Sequence, residues 1–177
     1  MWDARQKISR IKDFLPANEN ILDIGAGSGS VTLALRKSGR DVTPVDVKNW
    51  SLTEAVTPDI YDGVHLPYAS AEFHTALLLT VLHHTQDPEE VLREAGRVAD
   101  YVVIIEDVYS GPIHRWCTLA ADSLLNLEFR GHPHSNRSHL EWCAIFQKMG
   151  WQLLVTQRFS MLKFFTQQTY WLKTSSP

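Results

Sequence analysis

Ile21-Leu22-Asp23-Ile24-Gly25-Ala26-Gly27-Ser28-Gly29-Ser30 is the stretch whose reading decides the fold. Three apolar residues around one acid predict a short buried strand, and the glycines at 25, 27 and 29 predict a tight turn directly after it. Residues 31–37 then read as a helix, stopped by Ser38-Gly39. Strand, glycine turn and helix form the first half of a nucleotide-binding βαβ unit. Glycine suits such a turn because the backbone must adopt positive φ and approach a ligand closely. The third glycine of a dinucleotide fingerprint would fall at position 30, where Ser30 stands. Asp23 lies near the ligand end of the strand. Phosphate at a helix N-terminus prefers N–H donors without added negative charge, so the acid points to a ligand carrying an ammonium group.

Outward from this stretch, residues 1–16 predict one N-terminal helix. Ile8, Ile11 and Leu15 share a face, Lys7, Arg10 and Lys12 lie on the others, and Pro16 ends it. Residues 40–47 predict a second strand ending at Asp46, with Pro44 marking a bend or an unpaired position. Ile60-Tyr61 reads as a short strand, and the apolar run 75–80 as a central strand buried on both faces. Asp87 reads as the N-cap of a helix with Pro88 in its first position. Residues 100–107 predict a fifth strand that delivers Glu106 and Asp107 at its end. Ser138 and Glu141 form a capping box before a last helix. Residues 151–156 and 159–173 predict a closing hairpin.

Leu22-Asp23-Ile24-Gly25-Ala26-Gly27-Ser28-Gly29 resembles the first motif of class I S-adenosylmethionine-dependent methyltransferases, and more narrowly of the type 11 methyltransferase domains. The resemblance runs from about residue 20 to 150. It includes Asp46 after the second strand, Asp62-Gly63 before Leu66-Pro67-Tyr68, and a histidine ahead of Asp87-Pro88. It departs from the family in lacking Pro-Gly-Gly before the fifth strand and in having Phe73-His74 where Phe-Asp is common. The resemblance implies a Rossmann-like α/β fold: a doubly wound, mostly parallel sheet with an antiparallel C-terminal hairpin and helices on both faces. It implies a single domain over 1–177 with a substrate-side insert at 108–137. The implied cofactor is S-adenosyl-L-methionine, at Asp23, Gly25, Ala26, Gly27, Asp46, Val47, Asp62, Gly63 and Thr80. By the same resemblance Asp46 accepts the ribose hydroxyls and Asp62 the adenine amino group, with the Gly63 backbone beside the ring.

The charge balance is −3 and the pI about 6.2, so no basic field invites nucleic acid. The Asn/Asp-Pro-Pro-aromatic motif of nucleic-acid amino-methyltransferases is absent, Leu82-His83-His84-Thr85 standing there. No apolar run reaches the length of a membrane span, the N-terminus carries no signal-peptide pattern, and Cys117 and Cys143 read as reduced thiols. The expectation is a cytoplasmic enzyme acting on a small molecule, its oligomeric state left open. Eight histidines occur without metal-ligand spacing, so no metal is expected. Histidine as a proton acceptor is favoured: His83 and His134 are the catalytic candidates. Glu106, Asp107, His132 and Asn136 are the substrate-contact candidates, with Tyr109 and Trp116 as pocket walls. Two other readings compete. Ser30 and Asp62-Gly63 weigh against a dinucleotide-dependent dehydrogenase. A non-catalytic S-adenosylmethionine-binding regulatory or partner module stays open, because no large substrate domain is present.

Overall fold

The computed structural model describes residues 2–109, 137–161 and 165–175. Helix α1 (Trp2–Ile11) runs into a 3-10 turn at Lys12–Phe14, earlier than the helix end predicted at Pro16. Then come β1 (Asn20–Ile24), α2 (Ser30–Lys37), β2 (Asp41–Asp46), β3 (Asp59–Ile60) and β4 (Phe73–Leu79). A second 3-10 turn, Leu82–His84, leads into α3 (Pro88–Val98) and β5 (Ala99–Asp107). The described chain resumes before α4 (His139–Lys148) and ends with β6 (Gln152–Met161) and β7 (Phe165–Lys173). The two strands predicted over 151–156 and 159–173 are thus Gln152–Met161 and Phe165–Lys173, the first longer and the second starting later than predicted. The apolar-polar pattern of this pair is too even to mark the strand ends.

The seven strands form one sheet in the order β3-β2-β1-β4-β5-β7-β6. The first five are parallel to their neighbours, and β7 is antiparallel to both β5 and β6. Chain order reverses between β1 and β4, a switch point of the kind that opens a crevice at the strands' C-terminal ends. Pro44 stands opposite Asp23 on β1, while the ladder to β3 begins only at Val45, so its missing N–H disturbs little.

Alternation along the strands builds two cores. Leu22, Ile24, Ala76, Leu78, Val102 and Ile104 pack with α3 and α4. Ile21, Leu77, Leu79, Val103 and Ile105 pack on the other face with Ile11 of α1 and Leu35 of α2. Both faces being covered, the central strands read as continuous apolar runs. Asp87 caps α3 by accepting from the N–H groups of Glu89 and Glu90, and the Ser138–Glu141 capping box is formed at α4.

Candidate functional site

A cleft of about 840 Å³ opens at the C-terminal ends of β1, β2 and β4. It is lined by Asp23, Gly25, Ala26, Gly27, Asp46, Val47, Asp62, Gly63 and Thr80, the whole set of cofactor positions implied by the sequence. The turn after β1 is tied to β2 by its own backbone. Gly25 N–H and Ala26 N–H donate to Val45 C=O at 2.8 and 3.2 Å, and Gly27 N–H donates to Asp46 Oδ2 at 2.8 Å. Asp46 Oδ1 accepts from Val47 N–H at 2.7 Å. These amides face β2, so they do not form a phosphate cradle. Gly27 has φ +53°, and a Cβ built there meets only Gly25 O, at 3.9 Å. The space beside it is the cleft itself, room that a ligand lying on the backbone would use. Gly25, at φ +70°, has no such room: its Cβ would strike the Val81 side chain at 2.7 Å.

Electrostatics select the ligand further. Asp23 is 3% exposed, and its Oδ2 accepts from Thr32 Oγ1 of α2 at 2.5 Å. Burial pushes its carboxyl up to about 6, against the lowering effect of the Thr32 hydroxyl and of Lys7. Asp62 is exposed and held down at about 2 by His65 and by the N–H groups of His65 and Val64. Among the described lining residues Lys7 is the only lysine or arginine. Four acids, Asp23, Asp46, Asp62 and Asp87, lining a cleft with one lysine do not fit a pyrophosphate. They fit a ligand with hydroxyls, an amino group and an ammonium. The residues present thus fit the chemistry of S-adenosylmethionine, which offers an ammonium, ribose hydroxyls and an adenine amine.

Lys7 is a residue that sequence reasoning placed elsewhere, on a helix face away from the apolar one. Ala4 and Lys7 of α1 line the cleft, and Lys7 Nζ donates to Thr80 Oγ1 at 2.8 Å and to Leu79 C=O at 3.2 Å. Its only sequence signal is a lysine one position ahead of the apolar Ile8. Thr80 holds φ +64°, unusual for a β-branched residue, at the point where β4 turns into the cleft wall. Trp50, also unanticipated, lines the mouth at 56% exposure with Lys48 Nζ 4.5 Å over its ring.

The acceptor-side candidates fall in different places. Glu106 is 1% exposed, lies on the α3/α4 side of the sheet and is not among the described residues lining the cleft. Its Oε1 accepts from Val81 N–H (2.9 Å) and Leu82 N–H (2.7 Å), and its Oε2 meets His83 Nδ1 at 2.7 Å. The reason is strand parity: Glu106 follows Val102 and Ile104 on the same side of β5. His83 is drawn in with it, 8% exposed, and its neighbour His84 is the histidine that lines the cleft. Asp107 sits in the β5–β7 ladder opposite Gln167 and is not among the described lining residues. Tyr109 donates to Glu141 Oε2 at 2.8 Å and lines a different cavity, with His139 and Arg158. Trp116, Cys117, His132, His134 and Asn136 lie outside the described residues, as does most of the 108–137 insert. Among the described residues no three His, Cys, Asp or Glu side chains gather as a metal-ligand set, and no helix is long and apolar enough to cross a membrane.

Comparison with known proteins bears on this geometry. A family model described as a methyltransferase domain matches residues 3–156. The chain is 30% identical over 128 residues to methyltransferase GfsG of Streptomyces halstedii, covering 59% of this chain and 46% of that protein. It is 24% identical over 156 residues to a ubiquinone biosynthesis O-methyltransferase of Pseudomonas aeruginosa, covering 73% of this chain and 67% of that one. The chain thus spans less than half the length of the first relative. The crystal structure of magnesium protoporphyrin IX methyltransferase from Synechocystis PCC 6803, with S-adenosylhomocysteine bound, superposes with a TM-score of 0.71 at 17% identity. That match covers 98% of this chain and 83% of that one.

Proposed function

The chain belongs to the S-adenosylmethionine-dependent methyltransferase family, and from that premise we propose that it transfers a methyl group to an oxygen, nitrogen or carbon of a small molecule. The observation that carries the proposal is the Asp46 carboxylate. It sits at the end of β2, tied to Gly27 N–H and facing the same cleft as Asp23 and Asp62. Each carboxylate oxygen accepts one backbone bond and keeps lone-pair capacity for a ribose hydroxyl.

When bound, S-adenosylmethionine supplies an electrophilic methyl group on a sulfonium, so little covalent chemistry is asked of the protein. The chain's own residues bind and align. Asp23 holds the ammonium, and Gly27 leaves room for close approach. Asp46 and Val47 orient the ribose, and Asp62 and Gly63 the adenine. Beyond Thr80 the wall continues through Val81, His84, Thr85 and Gln86, and here the acceptor would lie in line with the methyl group. His84 takes over the proton-accepting role first assigned to His83, because it faces the cleft. His134, nominated by its chemistry, is the second candidate, with His132 and Asn136 as acceptor contacts.

Calorimetric titration with S-adenosylmethionine and with NAD tests the cofactor: micromolar binding of the first and none of the second is expected, and the reverse would overturn the reading. Methyl turnover against a metabolite panel tests catalysis. Binding without turnover on any acceptor would favour the non-catalytic module.

A further inference from the structure

The segment that leaves β2 at Asp46 returns to the glycine turn a few residues later, and both of its feet stand on that turn. The first foot is Asp46, whose carboxylate accepts from Gly27 N–H and Val47 N–H. The second is Leu52, whose N–H donates to Ser28 C=O at 3.2 Å. Side chains fix the second foot: Asn49 Oδ1 accepts from Ser51 N–H at 3.0 Å, and Ser51 Oγ donates to Thr53 C=O at 2.8 Å. Val56, 1% exposed, lies against Gly29, where a Cβ would strike its side chain at 2.8 Å. Residues 48–50 span the two feet, and from this span Trp50 lines the cleft. Val47, Trp50, Leu52 and Ile60 are exposed large apolar residues that all come from the stretch between the end of β2 and β3, and of these only Val47 and Trp50 line the cleft. Lys48 Nζ lies over the Trp50 ring but is not among the described lining residues, so the ring stands between the lysine and the cleft.

We infer that Trp50 is a nucleoside cap: when the cofactor binds, the indole ring packs over its ribose and base and shuts water away from the contacts to Asp46. The inference rests on the reading of this cleft as an S-adenosylmethionine site, and adds to it a residue that no motif marks. Placement is the first argument. Val47 lies beside Gly63, where a Cβ would come within 3.3 Å of its Cγ1, so the base end of the cleft begins at the first foot and the glycine turn lies at the second. A side chain on the span between them stands over the ribose. Solvation is the second argument. An indole left open to water gains on being covered, and a flat base or sugar face suits it. Hydrogen bonds to a carboxylate also strengthen once water is excluded around them. Covering one face of the ring, about 50–100 Å², corresponds to roughly 10- to 60-fold in affinity. The third argument is preorganisation. Both feet are bonded and Lys48 braces the outer face of the ring by cation–π attraction, so little order remains to be imposed on binding.

Calorimetry on the full chain tests the cap with two probes: S-adenosylmethionine, and 5′-methylthioadenosine, which keeps the nucleoside and lacks the amino-acid end. Trp50→Ala should weaken both by the same factor, roughly 10- to 60-fold. Trp50→Phe keeps an aromatic face and should lose less than about threefold. The urea midpoint of the ligand-free Trp50→Ala chain should match the parent's, because the ring is 56% exposed and covers little of the fold. Indole emission gives a second measurement that does not depend on the alanine variant: the change on saturation with 5′-methylthioadenosine should be smaller in Trp50→Phe than in the parent. Unchanged affinity for 5′-methylthioadenosine in Trp50→Ala, a fall in its ligand-free urea midpoint, or an emission change as large in Trp50→Phe as in the parent would overturn the inference. The two readings fail separately. A parent that binds 5′-methylthioadenosine with this dependence on Trp50 but does not bind S-adenosylmethionine removes the cofactor reading and keeps the cap. A parent that binds S-adenosylmethionine equally well with and without Trp50 keeps the cofactor reading and removes the cap, and a parent that binds neither probe removes both.

Discussion

Asp23→Asn should make the ligand-free chain more stable and the cofactor complex weaker. The carboxyl of Asp23 is buried at the end of β1, with Thr32 Oγ1 as its hydrogen-bond donor. Burial raises it from the usual 3.8 to about 6, with the Thr32 bond and Lys7 offsetting only part of the rise. An acid whose folded pKa lies above its unfolded value destabilises the fold when ionised. That loss is absent below the unfolded value, grows from about pH 4 to about 6, and is constant above. At about 1.4 kcal/mol per unit, the rise from 3.8 to about 6 corresponds to about 3 kcal/mol. Asparagine is isosteric, keeps an acceptor for Thr32, and never ionises. Urea denaturation at pH 8 should therefore show Asp23→Asn more stable by up to about 3 kcal/mol, roughly 6–12 °C in Tm for a chain of this size. At pH 4 the two chains should coincide. Calorimetry at pH 8 should show S-adenosylmethionine bound roughly 10- to 100-fold more weakly by the variant, the loss of one bond to a charged group. A variant no more stable than the parent at pH 8, or a difference equal at the two pH values, would refute the reasoning. Instability at Asp23 is then the mark of a residue kept for its ligand.

Gly27→Val should lower S-adenosylmethionine affinity at least about tenfold, since the side chain would project into the room the ligand uses; unchanged affinity in a folded variant, by calorimetry, would remove the site assignment. Asp46→Ala should cost about 1–3 kcal/mol of ligand-free stability as well as cofactor affinity, because the N–H groups of Gly27 and Val47 lose their acceptor. Asp46→Asn, which keeps one oxygen, should restore part of the stability in the same denaturation assay. Gly96→Ala in α3, a change that ordinarily strengthens a helix by about 1 kcal/mol, should instead destabilise by about 1–3 kcal/mol, because the new methyl would strike the Trp151 ring. Adding Trp151→Leu to that variant should recover stability; no recovery would rule out the collision.

The parts legible in the sequence are those written by neighbours along the chain. The glycine turn, the Asp87-Pro88 start of α3 and the Ser138–Glu141 box each need only a few adjacent residues, and each stands where it was expected. Asp46 was legible because a strand end carries its last residue to the ligand side. What escaped depends on tertiary packing. Lys7 enters the cleft because tertiary packing brings it to Leu79 C=O and Thr80 Oγ1 at the end of β4, which no helical wheel shows. Glu106 turns inward by strand parity, but both faces of β5 are covered, so no apolar-polar alternation reveals which way it faces. The choice between His83 and His84 is made by one 3-10 turn and by the carboxylate behind it.

The place of β7 in the sheet has a consequence for how the protein is made. Strand β5 is complete at Asp107, but its partner β7, which pairs with it from Tyr101 to Asp107, is finished only at Lys173. Synthesis at roughly 5–20 residues per second leaves an interval of several seconds between the two. Through that interval the growing chain carries β5 with one edge bare, and β6 leaves the ribosome before the strand that must come between them. Pairing of β6 directly with β5 is then a misfold within reach, and one that β7 must undo by insertion. Nascent chains released with β6 but without β7 should accordingly be the species that chaperones hold and proteases remove.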